Sequence, residues 1–129
     1  MQTAERILLI DDNLDDQQFF CEALKELYPH ITCDIANNGA EAMRIIDKVP
    51  IYDVIFLDLY MPKVNGFEFL QRLKNTSLYK YIPVIIVSSS LRPEDSEKCK
   101  KLGADFFIQK PTSYKEVLEQ LRNLLLTRA

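Results

Sequence analysis

Three glycines, three cysteines and one histidine in 129 residues exclude several kinds of protein. With so little glycine, and with no repeat, low-complexity tract or Gly/Ser-rich stretch, nothing reads as a flexible linker between domains. Cys21, Cys33 and Cys99 are odd in number and widely spaced, which argues for reduced, partly buried thiols against a disulfide framework or a metal cluster. Basic residues number 16 against 19 acidic, and no basic cluster exceeds Lys98, Lys100 and Lys101, so the electrostatic footprint of a nucleic-acid binder is missing. No apolar run approaches the roughly 18 residues of a membrane span, and the run at 7–10 is too short for the apolar core of a signal peptide. A cytoplasmic protein with neither nucleic acid nor membrane as partner is the expectation.

What is present is ordinary globular composition, 47% hydrophobic and 27% charged with a net charge of -3. A chain of this length buries about two-thirds of its unfolded surface, enough for one domain spanning 1–129. Short apolar runs recur at Ile7–Ile10, Val54–Leu57, Val84–Val87 and Phe106–Ile108, with a weaker alternating run at Ile31–Ile35. Continuous runs of four rich in β-branched residues suggest central parallel strands covered on both faces, and the alternating one suggests an edge. Between them, Phe20, Ala23, Leu24 and Leu27 fall at helical spacing, as do Gly39, Ala42, Met43 and Ile46, and Gly66, Phe69, Leu70 and Leu73. Asn13, Asn38 and Asn65 stand at N-cap positions, and Pro93 with Glu94 and Asp95 opens a fourth helix ending near Gly103. A capping box from Ser113 to Glu116 precedes the stripe Val117, Leu118, Leu121, Leu124 and Leu125. Five strands alternating with five helices predict an open α/β sheet, doubly wound, with helices on both faces.

In such sheets the functional crevice lies outside the carboxyl ends of the strands. Those positions hold Asp11 and Asp12, Asp58, Ser88 and Lys110. Singly, each has a structural reading as a helix cap, a turn residue or a solvated surface group. Jointly, they occupy the ends of four separate strands. Three crowded carboxylates repel one another unless a divalent cation neutralises them, and hard oxygen ligands with room left for water suit magnesium. Adjacent in extended backbone, Asp11 and Asp12 cannot point the same way, so one is expected to ligate directly and the other through water. Asp58 suits both ligand and nucleophile, since an aspartate attacking phosphorus forms an acyl phosphate. The charge that spreads over the transferring group then calls for a cation, a lysine and a hydroxyl, which magnesium, Lys110 and Ser88 would supply.

The stretches Ile-Leu-Leu-Ile-Asp11-Asp12-Asn, Val-Ile-Phe-Leu-Asp58-Leu-Tyr-Met61-Pro62 followed by Gly66, Pro83-Val-Ile-Ile-Val-Ser88-Ser89-Ser90 and Gly103-Ala104-Asp-Phe-Phe-Ile-Gln-Lys110-Pro111 resemble the receiver domain of two-component response regulators. The resemblance runs from Arg6 to Leu125. It implies a flavodoxin-like strand order 2-1-3-4-5 and phosphoryl transfer to Asp58 from a phosphohistidine on a sensor histidine kinase or histidine phosphotransfer protein. It also implies magnesium on Asp12, Asp58 and the Tyr60 carbonyl, with Asp11 acting through water, and a cis Lys110–Pro111 bond aiming the lysine inward. Ser88 matches the switch hydroxyl and Phe107 the switch aromatic. Tyr60 and Ser90 occupy the positions that modulate acyl-phosphate lifetime, where bulky Tyr60 is expected to shield the phosphoryl group. Phe107 lacks the hydroxyl that a tyrosine would bring, and Ser89 stands where alanine is usual. The output face implied is the fourth helix, fifth strand and fifth helix, through segments 92–101 and 114–122. Phosphorylation-dependent homodimerisation stays open.

Other candidates read more plainly. Asp15, Asp16, Glu94 and Asp95 suit first turns as dipole partners, although the first two add negative field beside the crevice. His30 reads as a surface or capping residue, Phe19 as either docking surface or packing, and Tyr79 and Tyr81 as a loop over the sheet end. A haloacid-dehalogenase-type phosphatase would carry a second acid at the Tyr60 position, and a flavodoxin would carry a Ser/Thr/Gly-rich phosphate loop in place of Asp11-Asp12-Asn13. With only four residues after Leu125, no effector domain is expected. A stand-alone regulator, a phosphate sink or phosphorelay intermediate, and a receiver cut from a longer protein remain as alternatives.

Overall fold

The computed structural model describes residues 5–48, 52–60, 65–89 and 92–126. The chain alternates β1 (Arg6–Ile10), α1 (Leu14–Leu27), β2 (Thr32–Ala36), α2 (Gly39–Lys48), β3 (Val54–Asp58), α3 (Gly66–Lys74), β4 (Val84–Ser88), α4 (Pro93–Lys101), β5 (Phe106–Gln109) and α5 (Tyr114–Leu126). All pairings are parallel, in the order β2-β1-β3-β4-β5. This is the doubly wound sheet that the apolar periodicity predicts.

Strand side chains alternate between faces, and the core divides accordingly. Leu8, Ile10, Ile55, Leu57, Val84 and Ile86 pack with Ala42 and Ile46 of α2, Phe69, Leu70 and Leu73 of α3, and Cys99 of α4. On the opposite face Ile7, Leu9, Val54, Phe56 and Ile85 meet Ala23 and Leu24 of α1 and Val117, Leu121 and Leu125 of α5. The central strands β1, β3 and β4 are covered on both sides, which explains their unbroken apolar runs. β5 is an edge strand despite its apolar sequence, and Phe106 is left 47% exposed.

The helix starts follow the local chemistry. The side-chain oxygens of Asn13, Asn38 and Asn65 accept the backbone N–H groups of Asp16, Glu41 and Glu68 at 3.0, 2.8 and 3.0 Å. The box at α5 is displaced by one residue. Ser113 accepts from Glu116 N–H at 3.1 Å, but the Glu116 carboxylate returns to Thr112 N–H at 2.9 Å. Gly103, at φ 105°, closes α4 in a conformation that a side chain would strain. Tyr79 and Tyr81 separate: Tyr79 enters the core and donates to Asp47 at 2.9 Å, while Tyr81 is exposed beneath Lys80. Of the two residues expected over the sheet end, Tyr79 is thus packed with the core and Tyr81 is not.

Candidate functional site

Parallel pairing brings the candidate residues to one edge. Ile10 pairs with Leu57 and Asp58 with Val87, while Ser88 pairs with Gln109 and its carbonyl accepts Lys110 N–H at 2.8 Å. Asp11, Asp58 and Lys110 thus emerge at the same end of the sheet, with Ser88 buried beside them at the end of β4. Asp11 is buried and Asp12 exposed, as extended backbone requires of neighbours. Each of Asp11, Asp12 and Asp58 offers a carboxylate oxygen within 4.8 Å of the others.

Lys110 brings a cation to this cluster. Its ammonium lies 2.7 Å from Asp16, 3.4 Å from Asp58 and 3.7 Å from Asp11. Burial works against its charge, but the hydrogen bond to Asp16 and the charges of Asp11 and Asp58 outweigh burial and hold the lysine protonated above its usual range. Burial pushes the Asp11 carboxyl up to about 6, against the pull of Asn13 N–H, which it accepts at 2.9 Å, and of Lys110. Burial likewise raises Asp58, opposed by Lys110 and by Tyr60 N–H. The Lys110–Pro111 bond is trans, where the resemblance implies cis. Trans is the intrinsically favoured form of an X–Pro bond, and from it the long lysine side chain already reaches all three acids.

Two contacts of α1 escaped the sequence reading. Asp16, read as a first-turn acid, is the nearest partner of Lys110. Gln17 is buried and donates to the Asp11 carbonyl at 2.6 Å and to Asn37 at 2.7 Å, fixing the backbone of the acidic turn. The signal for both was positional, because α1 starts three residues beyond Asp11 and its first turn must overhang the crevice. Asp95 is the third surprise. It is 3% exposed, accepts the Tyr60 hydroxyl at 2.6 Å and pairs with Arg92 at 3.3 Å. The half-exposed Tyr60 ring also meets Phe67 edge-on at 6.2 Å, so the residue two beyond Asp58 is moored to α4.

The remaining candidates are less central. Phe107 of β5 is half-buried against the α2–α3–α4 core, and Ser89 is exposed. Met61, Pro62 and Ser90 lie outside the described residues. Phe19 is 44% exposed and touches Tyr114 edge-on at 6.4 Å, so it belongs as much to surface as to packing. His30 is exposed beside Tyr28. A cavity of about 120 Å³ between α1 and α5 is lined by Phe20, Phe56, Val117 and Leu121 as well as by Asp58 and Lys110.

The hard, oxygen-only donor set, crowded and partly desolvated, fits a small divalent cation such as magnesium. Among the described residues no helix is long and apolar enough to cross a membrane.

Comparison with known proteins agrees with this geometry. The chain is 33% identical over 137 aligned positions to Two-component response regulator ARR17 of Arabidopsis thaliana, covering 98% of this chain and 88% of that one. It spans 23%, 6% and 57% of the lengths of three further curated relatives. Among solved structures, the phosphorylated cyanobacterial phytochrome response regulator RcpA superposes with a TM-score of 0.88 at 26% identity, covering 97% of this chain and 96% of that one. The Mn(2+)-bound response regulator Rcp1 gives 0.86 at 26% identity, covering 95% and 96%. The sequence model of the response regulator receiver domain matches residues 7–122, and with this fold and acidic crevice the chain belongs to that family, the phosphoacceptors of two-component signalling.

Proposed function

We propose that Asp58 is the phosphoacceptor and that a sensor histidine kinase or histidine phosphotransfer protein supplies the phosphoryl group. The observation that carries this reading is the placement of Asp58 in a crevice with two further carboxylates and a lysine 3.4 Å away. An Asp58 carboxylate oxygen attacks phosphorus as the P–N bond to the donor imidazole breaks, and the imidazole leaves with the bonding electrons. Lys110 opposes the effect of burial on Asp58 and meets the charge on the phosphoryl oxygens, and Ser88 offers its hydroxyl from the end of β4. Asp12, Asp58 and the Tyr60 carbonyl would hold magnesium, with Asp11 acting through water. The bound ion supplies neutralisation of the carboxylates and of the incoming charge. The similarity to Rcp1 in a Mn(2+)-bound form and to RcpA in a phosphorylated form supports the same assignment.

Ser88 and Phe107 form the switch in this reading, and Tyr60 and Ser90 set the lifetime of the acyl phosphate. The α4–β5–α5 face, with Phe106 exposed on it, receives the output partner or a second copy after phosphorylation. The protein acts in the cytoplasm, away from nucleic acid and membrane, as a signalling phosphoacceptor whose only catalysis is its own phosphorylation and slow dephosphorylation. The small fraction of several relatives that the chain spans favours a second reading, in which the same domain serves as the receiver module of a larger protein.

Incubation with acetyl phosphate and magnesium, followed by intact mass, tests the assignment. Uptake of one phosphoryl group, absent in Asp58→Ala and after chelation, is the expected result. Uptake that persists in Asp58→Ala overturns it.

A further inference from the structure

Cys21 of α1 and Cys33 of β2 face one another with their sulfurs 4.0 Å apart, about 2 Å longer than a disulfide bond. Both side chains are half-buried, within reach of small solutes, whereas Cys99 is sealed in the core under α4. Their elements are separately anchored. Phe20, Ala23 and Leu24 fix α1 to the sheet, and β2 is held as an edge strand by its ladder to β1. The two thiols therefore stay opposed without needing each other.

The geometry points to a reversible oxidation site, in which a peroxide-class oxidant converts the Cys21–Cys33 dithiol into an intramolecular disulfide. The contact between the sulfurs favours ionisation of one thiol at the expense of the other, lowering Cys21 and raising Cys33, which burial raises further. In the proposed sequence Cys21 is the attacking thiolate and Cys33 the resolving thiol. The Cys21 sulfur attacks one peroxide oxygen, the O–O bond breaks, and the leaving hydroxide takes a proton to become water. The resulting sulfenic acid is attacked by the Cys33 sulfur, which forms the S–S bond and expels a second hydroxide that takes the Cys33 proton. In total two thiols are oxidised, one peroxide is reduced and two waters form, and a small dithiol reverses the reaction by exchange. The new bond ties β2 to the helix that carries Asp16 and Gln17.

The test treats the reduced, intact chain with hydrogen peroxide, denatures it, blocks remaining thiols with N-ethylmaleimide and reads intact mass and peptides. The expected result is loss of two of the three alkylatable thiols, a monomeric Cys21–Cys33 cross-linked peptide, and full recovery after dithiothreitol. Cys33→Ser should leave Cys21 as a sulfenic acid that dimedone captures, and Cys21→Ser should leave Cys33 unoxidised. Three alkylated thiols after treatment, a link between two chains or one involving Cys99, or oxidation of Cys33 undiminished in Cys21→Ser would each overturn the proposal. The wild-type measurement decides alone if a variant does not fold.

Discussion

Asp11 shows how a functional carboxylate loads the fold. Its folded-state pKa of about 6 lies above the 3.8 of an exposed aspartate, so the proton stabilises the fold and ionisation weakens it. The stabilising effect of protonation is complete below pH 3.8 and is lost as the pH rises through about 6. Asp11→Asn, which can still accept from Asn13 N–H, should therefore raise the stability of the metal-free protein by about 2 kcal/mol at pH 7. The gain should vanish by about pH 4, and urea unfolding in chelator at the two pH values checks both statements. At the same scale, the Tyr60 ring held by Asp95 is proposed to cover the phosphoryl group, and Tyr60→Asn removes it. Dephosphorylation of Tyr60→Asn should be several-fold faster than that of the parent, measured as loss of the phosphorylated mass. A rate no faster than the parent's sinks the shielding role.

Among the elements, α3 is the one most constrained by the site. Gly66 opens it, and a Cβ there would lie 2.7 Å from the Cα and carbonyl oxygen of Leu59 and 2.9 Å from the Asp58 carbonyl oxygen. These are backbone atoms with no rotamer to yield. Gly66→Ala should cost about 1–3 kcal/mol in denaturant unfolding and slow phosphoryl uptake by shifting the Asp58 backbone. The elements themselves were largely legible in the sequence. Unbroken runs marked β1, β3 and β4, helical spacing marked α1 to α3, and asparagine caps marked three helix starts, because each signal is local. The acidic cluster with Lys110 was legible for a different reason, since parallel strands deliver their last residues to one edge. Contacts between side chains of distant elements were not. Nothing in the spacing of Tyr60 and Asp95 reveals that they meet, and the isomer of the Lys110–Pro111 bond leaves no mark in the residues around it.

For the molecule as a whole, an ion held as proposed in the acidic crevice would couple its binding to folding. A cation bound by the folded chain alone stabilises it by mass action. Magnesium at about tenfold above its Kd should raise unfolding free energy by about 1.4 kcal/mol, and most of that rise should disappear in Asp12→Ala. Thermal melts across a magnesium titration give the answer, and an unchanged midpoint in the parent protein would contradict the metal assignment. The two half-cores on either face of the sheet share this one polar rim, where the proposed ion and phosphoryl group would sit.

Lys110 sets a limit on that rim. An ammonium group carries three protons, and Asp11, Asp16 and Asp58, reached from β1, α1 and β3, already surround it. Asp16 at 2.7 Å and Asp58 at 3.4 Å lie within hydrogen-bond reach, and Asp11 at 3.7 Å interacts through charge alone. On the proposed function the phosphoryl oxygens would join the acids that draw on this ammonium, of which Asp16, at 2.7 Å, stands on a helix and not at a strand end. Under the proposed function, a chemical event at Asp58 would thus bear, through a single nitrogen, on what holds the first turn of α1.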